Sequence, residues 1–310
     1  MPNPIHHRQA IYGYFFAFIT TAIWAGNFVV ARSLQQSINP VSLSFWRWLV
    51  AIMAILPFTL RRLITERNII RANLPYLSIT SLFGITMFST LVYLASHTTA
   101  AVNLSLISIT FPIFIIILSR IFYGEEITFN KGIGILLVAI GVILLISRGE
   151  PSRLLSLSFS FGDIWMLIAA VAFASYSILV KHKPRQLNFW AFQSSLFILG
   201  IIFLFPFFVI DFVKFPTVVF DSKMIFSIFY VGIFVSLIGF ALWNKAIEKI
   251  GPSKTGMAYY TSPLFSGFWA YLFLKEELNM LHFYSALLIL SGIIISNYTN
   301  GVRRSNEECE

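Results

Sequence analysis

Arg47 interrupts an apolar stretch, SFWRWLVA, about seven residues into the run 41–60 and roughly 10 Å from the nearer end of that run at helical rise. A guanidinium at membrane depth is costly and usually faces protein or a water-filled cavity. It offers a cation that draws a carboxylate or gates a vestibule; a snorkelling side chain or a contact with helix ends is the plainer reading. Trp24 and Asn27, with Phe28, share one helical face, and Tyr176, with Phe173 and Ser177, holds the matching place later in the chain. Two such faces supply stacking area and a hydrogen bond to an amphipathic molecule, or ordinary packing with one interhelical hydrogen bond. Asn103, Ser105 and Ser108 precede Pro112, and Tyr259 and Tyr260 precede Pro263. A proline inside a helix removes a backbone donor and leaves carbonyls free beside such groups, which also serve as common interhelical glue. Tyr93, Trp243 and Asn244 are expected near the ends of their runs, where they gate, bind or anchor at the interface.

Equally telling is the chemistry that the runs lack. No Asp or Glu lies in the central part of any apolar run, and Asp163 sits at the start of one. Proton coupling through a membrane carboxylate is therefore disfavoured, and a zwitterionic or neutral amphipathic cargo fits better than a polycation. There is no GxxxxGK[ST] loop and no HExxH, and His6, His7 and His182 form no spaced set, so neither a cofactor nor a metal is expected. His97 reads as polar surface. The single cysteine, Cys309, excludes an internal disulfide.

The elements that must position these residues are membrane helices. Of 310 residues, 57% are hydrophobic and 11% charged, against about 25% charged in soluble domains. Ten apolar runs can be marked, near 11–31, 41–60, 74–94, 98–119, 130–147, 161–180, 189–210, 223–243, 255–274 and 280–297. Their continuity over about 20 residues selects helices over the short alternating strands of a barrel. The first run is long enough to span and carries no signal-peptide cleavage pattern. With alternate connections assigned to one side, that side holds 15 Lys and Arg and the other 6. The positive-inside rule then puts both termini in the cytoplasm. It also accounts for the net charge of +9 without nucleic acid.

Much of 112–145 returns at 263–295. Pro112 and Pro263, Phe114 and Phe265, Glu125–Glu126 and Glu276–Glu277, and Gly141 and Gly292 all pair at one offset of 151 residues. Residues 13–32 lie against 162–181 at offset 149; the second helices, around SFWRW and NFWAF, align less well. The prolines and glycines are expected to be structural, and the acid pairs to orient helix starts through the helix dipole. Five runs per copy turn the second copy upside down in the bilayer, the internal symmetry of many secondary transporters. The expected fold is all-α: ten transmembrane helices as two inverted five-helix repeats, residues 1–148 and 161–298, with a connecting loop at 149–160 and a polar tail at 299–310.

These residues carry a resemblance. AIWAGNFVVAR, FWRWLVA, the two proline-to-acid segments and ALWNKAIEKIGPSKTGMAYYTSP resemble the ten-helix EamA-type proteins of the drug/metabolite transporter superfamily, over about Tyr12 to Asn297. The resemblance implies a central cavity lined mainly by spans 1, 3, 4, 6, 8 and 9, with spans 5 and 10 peripheral. It implies export or exchange of small metabolites such as amino acids across an inner, cytoplasmic membrane. The partners expected are a small-molecule substrate and lipid; oligomeric state is left open, a monomer included. A lipophilic drug exporter is the nearest alternative, and a membrane-embedded enzyme or scaffold the alternatives of another class.

Overall fold

The computed structural model describes residues 4–34, 37–99, 101–147, 149–150, 152, 160–214, 221–274 and 280–297. These are helical almost throughout. Helix α1 covers Pro4–Leu34 and α2 Pro40–Thr65, with Pro40 in the first turn, where a missing N–H costs nothing. A short α3, Arg67–Ala72, leads into α4, Leu74–Ser81, which widens into a π-helix at Leu82–Met87 and resumes as α5, Phe88–Thr98. Then come α6, Ala101–Ser108, α7, Thr110–Tyr123, and α8, Phe129–Ser147.

The second half begins with α9, Phe161–Lys181, opened by a capping box in which Asp163 accepts the Ser160 N–H at 2.7 Å. It continues with α10, Phe189–Lys214, and α11, Ser222–Tyr230, whose first turn is capped by Asp221 accepting the Met224 N–H. A second π-helix, Val231–Ile238, joins α11 to α12, Gly239–Tyr259. Helices α13, Ser262–Leu274, and α14, Met280–Asn297, complete the described chain.

Eight of the described helical stretches are long and apolar enough to cross a membrane. The chain is an all-α, multi-pass membrane protein. Lipid explains its exterior, where Phe58, Phe207 and Phe226 are well exposed at no hydrophobic cost. Of the two remaining expected spans, 11–31 falls within α1. The other, 255–274, is divided between the end of α12 and α13, because the segments ahead of Pro112 and Pro263 break, whereas Pro57 and Pro206 sit inside continuous helices. Pro112 cannot donate to the Ser108 carbonyl, nor Pro263 to that of Tyr259, and the chain turns at Ile109 and again at Tyr260–Thr261, three residues before each proline. Most of the connection 149–160, the tail 299–310, Glu276 and Glu277 lie outside the described residues.

Packing pairs α1 with α12, α2 with α10, and α9 with α5 and α7 around the middle of the molecule; α8 and α14 form an outlying pair. That pair meets at glycines. A Cβ on Gly292 would stand 2.6 Å from the Gly134 carbonyl oxygen, and one on Gly141 would press on Leu288, Ile289 and the Ser285 carbonyl. Both glycines singled out by the repeat therefore let two backbones approach closely. Gly251 is one of three glycines at positive φ, with Gly124 and Gly149; at φ 79° inside α12 it marks the kink ahead of Pro252.

Candidate functional site

Arg47 lies in the third turn of α2 and is 3% exposed. Its Nε donates to Ser236 Oγ at 2.7 Å and its Nη1 to Tyr93 Oη at 2.7 Å, while the guanidinium sits over the rings of Trp48 and Tyr93. The π-helix at 231–238 makes this possible. Ser236 Oγ donates to the Val231 carbonyl five residues back and so presents its lone pairs to Arg47. Carbonyls of the same region also receive α1: Trp24 Nε1 donates to Val235 O at 3.0 Å and Thr20 Oγ1 to Gly239 O. Among the described residues no carboxylate pairs with Arg47.

A chamber of about 40 Å³ opens beside the guanidinium, lined by Trp24, Asn27, Arg47, Ser89, Tyr93 and Tyr259, with Phe88, Val92, Phe111, Met166, Val235 and Phe240. That volume admits about one to three waters. Asn27 Oδ1 and Ser89 Oγ are buried without a hydrogen-bond partner. The chamber thus combines an unneutralised cation, two unsatisfied polar atoms and aromatic walls.

Aromatic rings close the chamber on one side. Trp24 packs on Phe173, Phe240 and Trp243 with centroids 5.2–5.4 Å apart, and Phe111 stacks on Tyr259 at 5.5 Å. Beyond them a vestibule of about 820 Å³ opens at the end of the bundle that carries Lys131, Lys181, Lys183, Arg185, Lys249 and Lys254, with Glu125, Glu126 and Glu248. Phe240 lines the chamber and Asn244 the vestibule. One turn of α12, about 6 Å of rise, separates the two spaces. Asn297 at the end of α14 lines the same vestibule, and Gly13 near the start of α1 packs on Ile250 at its mouth.

At the inner end of the vestibule Asn244 Oδ1 accepts from Tyr176 Oη at 2.9 Å and Asn244 Nδ2 donates to Gln193 Oε1 at 2.7 Å. Trp243 Nε1 donates to Ser177 Oγ. At the mouth Glu125 receives the Ser253 hydroxyl and lies 3.7 Å from Lys131 and 3.8 Å from Lys181. Glu125 therefore ties helix ends together across the mouth instead of orienting one helix start. Each of these half-exposed pairs is worth little alone. Among the described residues no three His, Cys, Asp or Glu side chains gather where a metal could bind.

Of the residues singled out from sequence, Trp24, Asn27, Arg47, Tyr93 and Tyr259 converge on the chamber. Trp243, Tyr176 and Asn244 form the layer between chamber and vestibule. Tyr93 and Asn244 are both buried; Tyr93 lies five residues before the end of α5, near the end of its run as expected, whereas Asn244 lies well inside its helix because α12 runs on past the apolar stretch that set the expected boundary. Tyr260 points elsewhere: neighbouring residues diverge on a helical turn, and it packs with Val138, Met257 and Ile289 against α8 and α14. Ser108 is half-buried, has a partner of its own and does not line the chamber. The side chain of Asn103 lies outside those described. Sequence reasoning missed Ser89, Ser236 and Gln193. Gln193 carried a readable signal, an amide inside one of the most apolar helices; Ser236 carried none, since its role depends on the π turn.

The family model of the EamA-like transporter family matches the chain twice, over residues 11–147 and 160–298. An uncharacterised transporter of Archaeoglobus fulgidus is 24% identical over 281 residues, spanning 90% of this chain and 94% of its own length. The transporter YyaM of Bacillus subtilis, also uncharacterised, is 23% identical over 275 residues, spanning 87% and 88%. A solved crystal structure superposes with a TM-score of 0.75 at 15% identity, over 92% of this chain and 96% of that one, a likeness of fold alone.

Proposed function

The chain belongs to the EamA-like transporter family, and on that premise we propose that it exports or exchanges amino acids by alternating access through the chamber at Arg47. Transport across a membrane is what family membership supplies; the cargo and the residues that hold it are our reading. The observation that carries it is Arg47, a buried guanidinium with no carboxylate partner among the described residues, facing the unsatisfied Asn27 Oδ1 and Ser89 Oγ. An uncompensated buried charge costs several kcal/mol. Once the aromatic layer parts and the chamber widens, a cargo carboxylate offsets that cost, Asn27 Oδ1 accepts from the cargo ammonium, and the aromatic walls take an apolar side chain. The basic vestibule draws the anionic group inward.

Ten spans in two inverted repeats, 1–148 and 161–298, on either side of a 149–160 connection, complete this reading. The positions of Gly13 and Asn297 at one end of the bundle support an even number of crossings. The excess of basic residues at that end supports its being cytoplasmic, in the cell's cytoplasmic membrane. The vestibule then faces inward, and the second arrangement of the same pseudo-equivalent halves opens the chamber outward. Counterflow of a panel of labelled amino acids into proteoliposomes tests this. Arg47→Ala is expected to lower the rate at least about tenfold, the equivalent of about 1.4 kcal/mol, while exposed Arg61→Ala leaves it unchanged. Equal rates for the two variants, or transport of hydrophobic dyes in place of amino acids, would overturn the assignment.

A further inference from the structure

The reading of Arg47 as cargo anchor gives meaning to a second polar set. Asn27 and Tyr176 are equivalent at offset 149, and Tyr93 and Asn244 at offset 151. Arg47 on α2 and Gln193 on α10 each hydrogen-bond the member of the Tyr93–Asn244 pair in their own half, at 2.7 Å in both cases. The molecule therefore holds two polar triads of unlike chemistry: Arg47, Tyr93 and Asn27, which line the chamber, and Gln193, Asn244 and Tyr176, of which Asn244 lines the vestibule and hydrogen-bonds the other two.

The second triad is incomplete as a purely structural network. Gln193 is fully buried, and its Oε1 accepts from Asn244, but its Nε2 has no acceptor. A buried amide donor left unpaired is unfavourable, and a leucine would fill the same place without it. Asn244 forms part of the vestibule wall, and Gln193 lies one hydrogen bond deeper.

We propose that Gln193, Asn244 and Tyr176 form an inner receiving site, at which a carboxylate or carbonyl oxygen of cargo entering from the vestibule accepts the unpartnered Gln193 N–H. This rests on the transport reading above and adds a second station to it. The neutral amide holds an anionic group less firmly than the guanidinium does, so cargo received there can pass on toward Arg47 when the aromatic layer opens. The two faces of the transporter then differ in which triad sets their affinity.

Sidedness is the readout that a merely structural role would not produce. Proteoliposomes sorted by orientation exchange an equimolar mixture of the twenty L-amino acids, read by mass spectrometry. The half-saturating concentration of the fastest member is then measured from each face. Gln193→Leu is expected to raise it about tenfold at the vestibule face and less than about twofold at the other. Gln193→Met, closer in shape, guards against a packing defect. A symmetrical rise, no rise, or failure of both variants to yield folded protein assigns Gln193 to the scaffold and overturns the receiving site. A wild-type protein that exchanges none of the twenty removes the amino-acid reading itself, and this site with it. Loss of flux in Arg47→Ala beside a silent Gln193→Leu removes only the receiving site.

Discussion

A guanidinium held by two hydroxyls and two aromatic faces is positioned but not neutralised. Ser236 and Tyr93 each accept one N–H from Arg47, and hydrogen bonds to a charged donor contribute about 1.5–3 kcal/mol each. Neither supplies negative charge, so in this conformation the cation keeps most of its appetite for an anion. Removing the Tyr93 hydroxyl tests the positioning. Tyr93→Phe keeps the ring beneath the guanidinium and leaves one buried donor unmet. We expect a fall in counterflow of about tenfold, matching about 1.4 kcal/mol, with little change in the amount of folded protein recovered. A Tyr93→Phe rate equal to wild type would mean that Tyr93 is only wall.

At the scale of elements, the two π-helices carry the site. Leu82–Met87 and Val231–Ile238 overlap at the repeat offset, and each lies inside a long apolar helical stretch, Leu74–Thr98 and Met224–Tyr259. The wide turn at 231–238 presents the Val235 carbonyl to Trp24 and turns Ser236 toward Arg47. The counterpart at 82–87 presses Gly84 against the Tyr176 ring. Helices α8 and α14 do something different: they touch each other far more than they touch the chamber. Substitution there belongs to stability. Gly292→Leu drives a side chain into the Gly134 backbone and is expected to destabilise by about 1–3 kcal/mol, seen as a lower unfolding temperature in detergent. The half-saturating amino-acid concentration of the protein that survives should stay unchanged; a large shift in it would bring the packed glycine faces of α8 and α14, and not only their vestibule ends, into the transport path.

For the whole molecule, the conformation is defined by a wide vestibule at one end and a small chamber beside Arg47. The vestibule reaches to Asn244, the chamber begins at Phe240, and one aromatic turn separates them. Passage from the vestibule to the chamber requires the rings of Trp24, Phe173 and Trp243 to exchange partners, which the proposed inverted halves achieve by rocking about that layer. That proposal predicts the fate of two duplicated acid pairs. With Cys309→Ser as background, Glu125→Cys and Glu276→Cys should be labelled by an impermeant maleimide from opposite sides of a sealed membrane. Labelling from the same side would exclude inverted repeats and, with them, alternating access by exchange of pseudo-equivalent halves.

Membership of the membrane class and the duplication follow from sequence alone, because each is written in local patterns; where the helices end and break does not, as the turn at Tyr260–Thr261 within the expected run 255–274 shows. An apolar run of about 20 residues must satisfy its backbone internally wherever it goes, and a gapless offset survives any fold. Arg47 was legible for the same reason, as a charge where charge is costly. Tertiary structure alone decided which polar groups meet. Tyr259 reaches the chamber and Tyr260, its neighbour, turns to α8 and α14; Ser236 becomes a partner of Arg47 only through a π turn that apolar periodicity does not encode. Side-chain direction at a helix break or a widened turn depends on the neighbours that occupy the freed carbonyls, and those come from helices some 200 residues away, as Trp24 and Val235 do at a separation of 211.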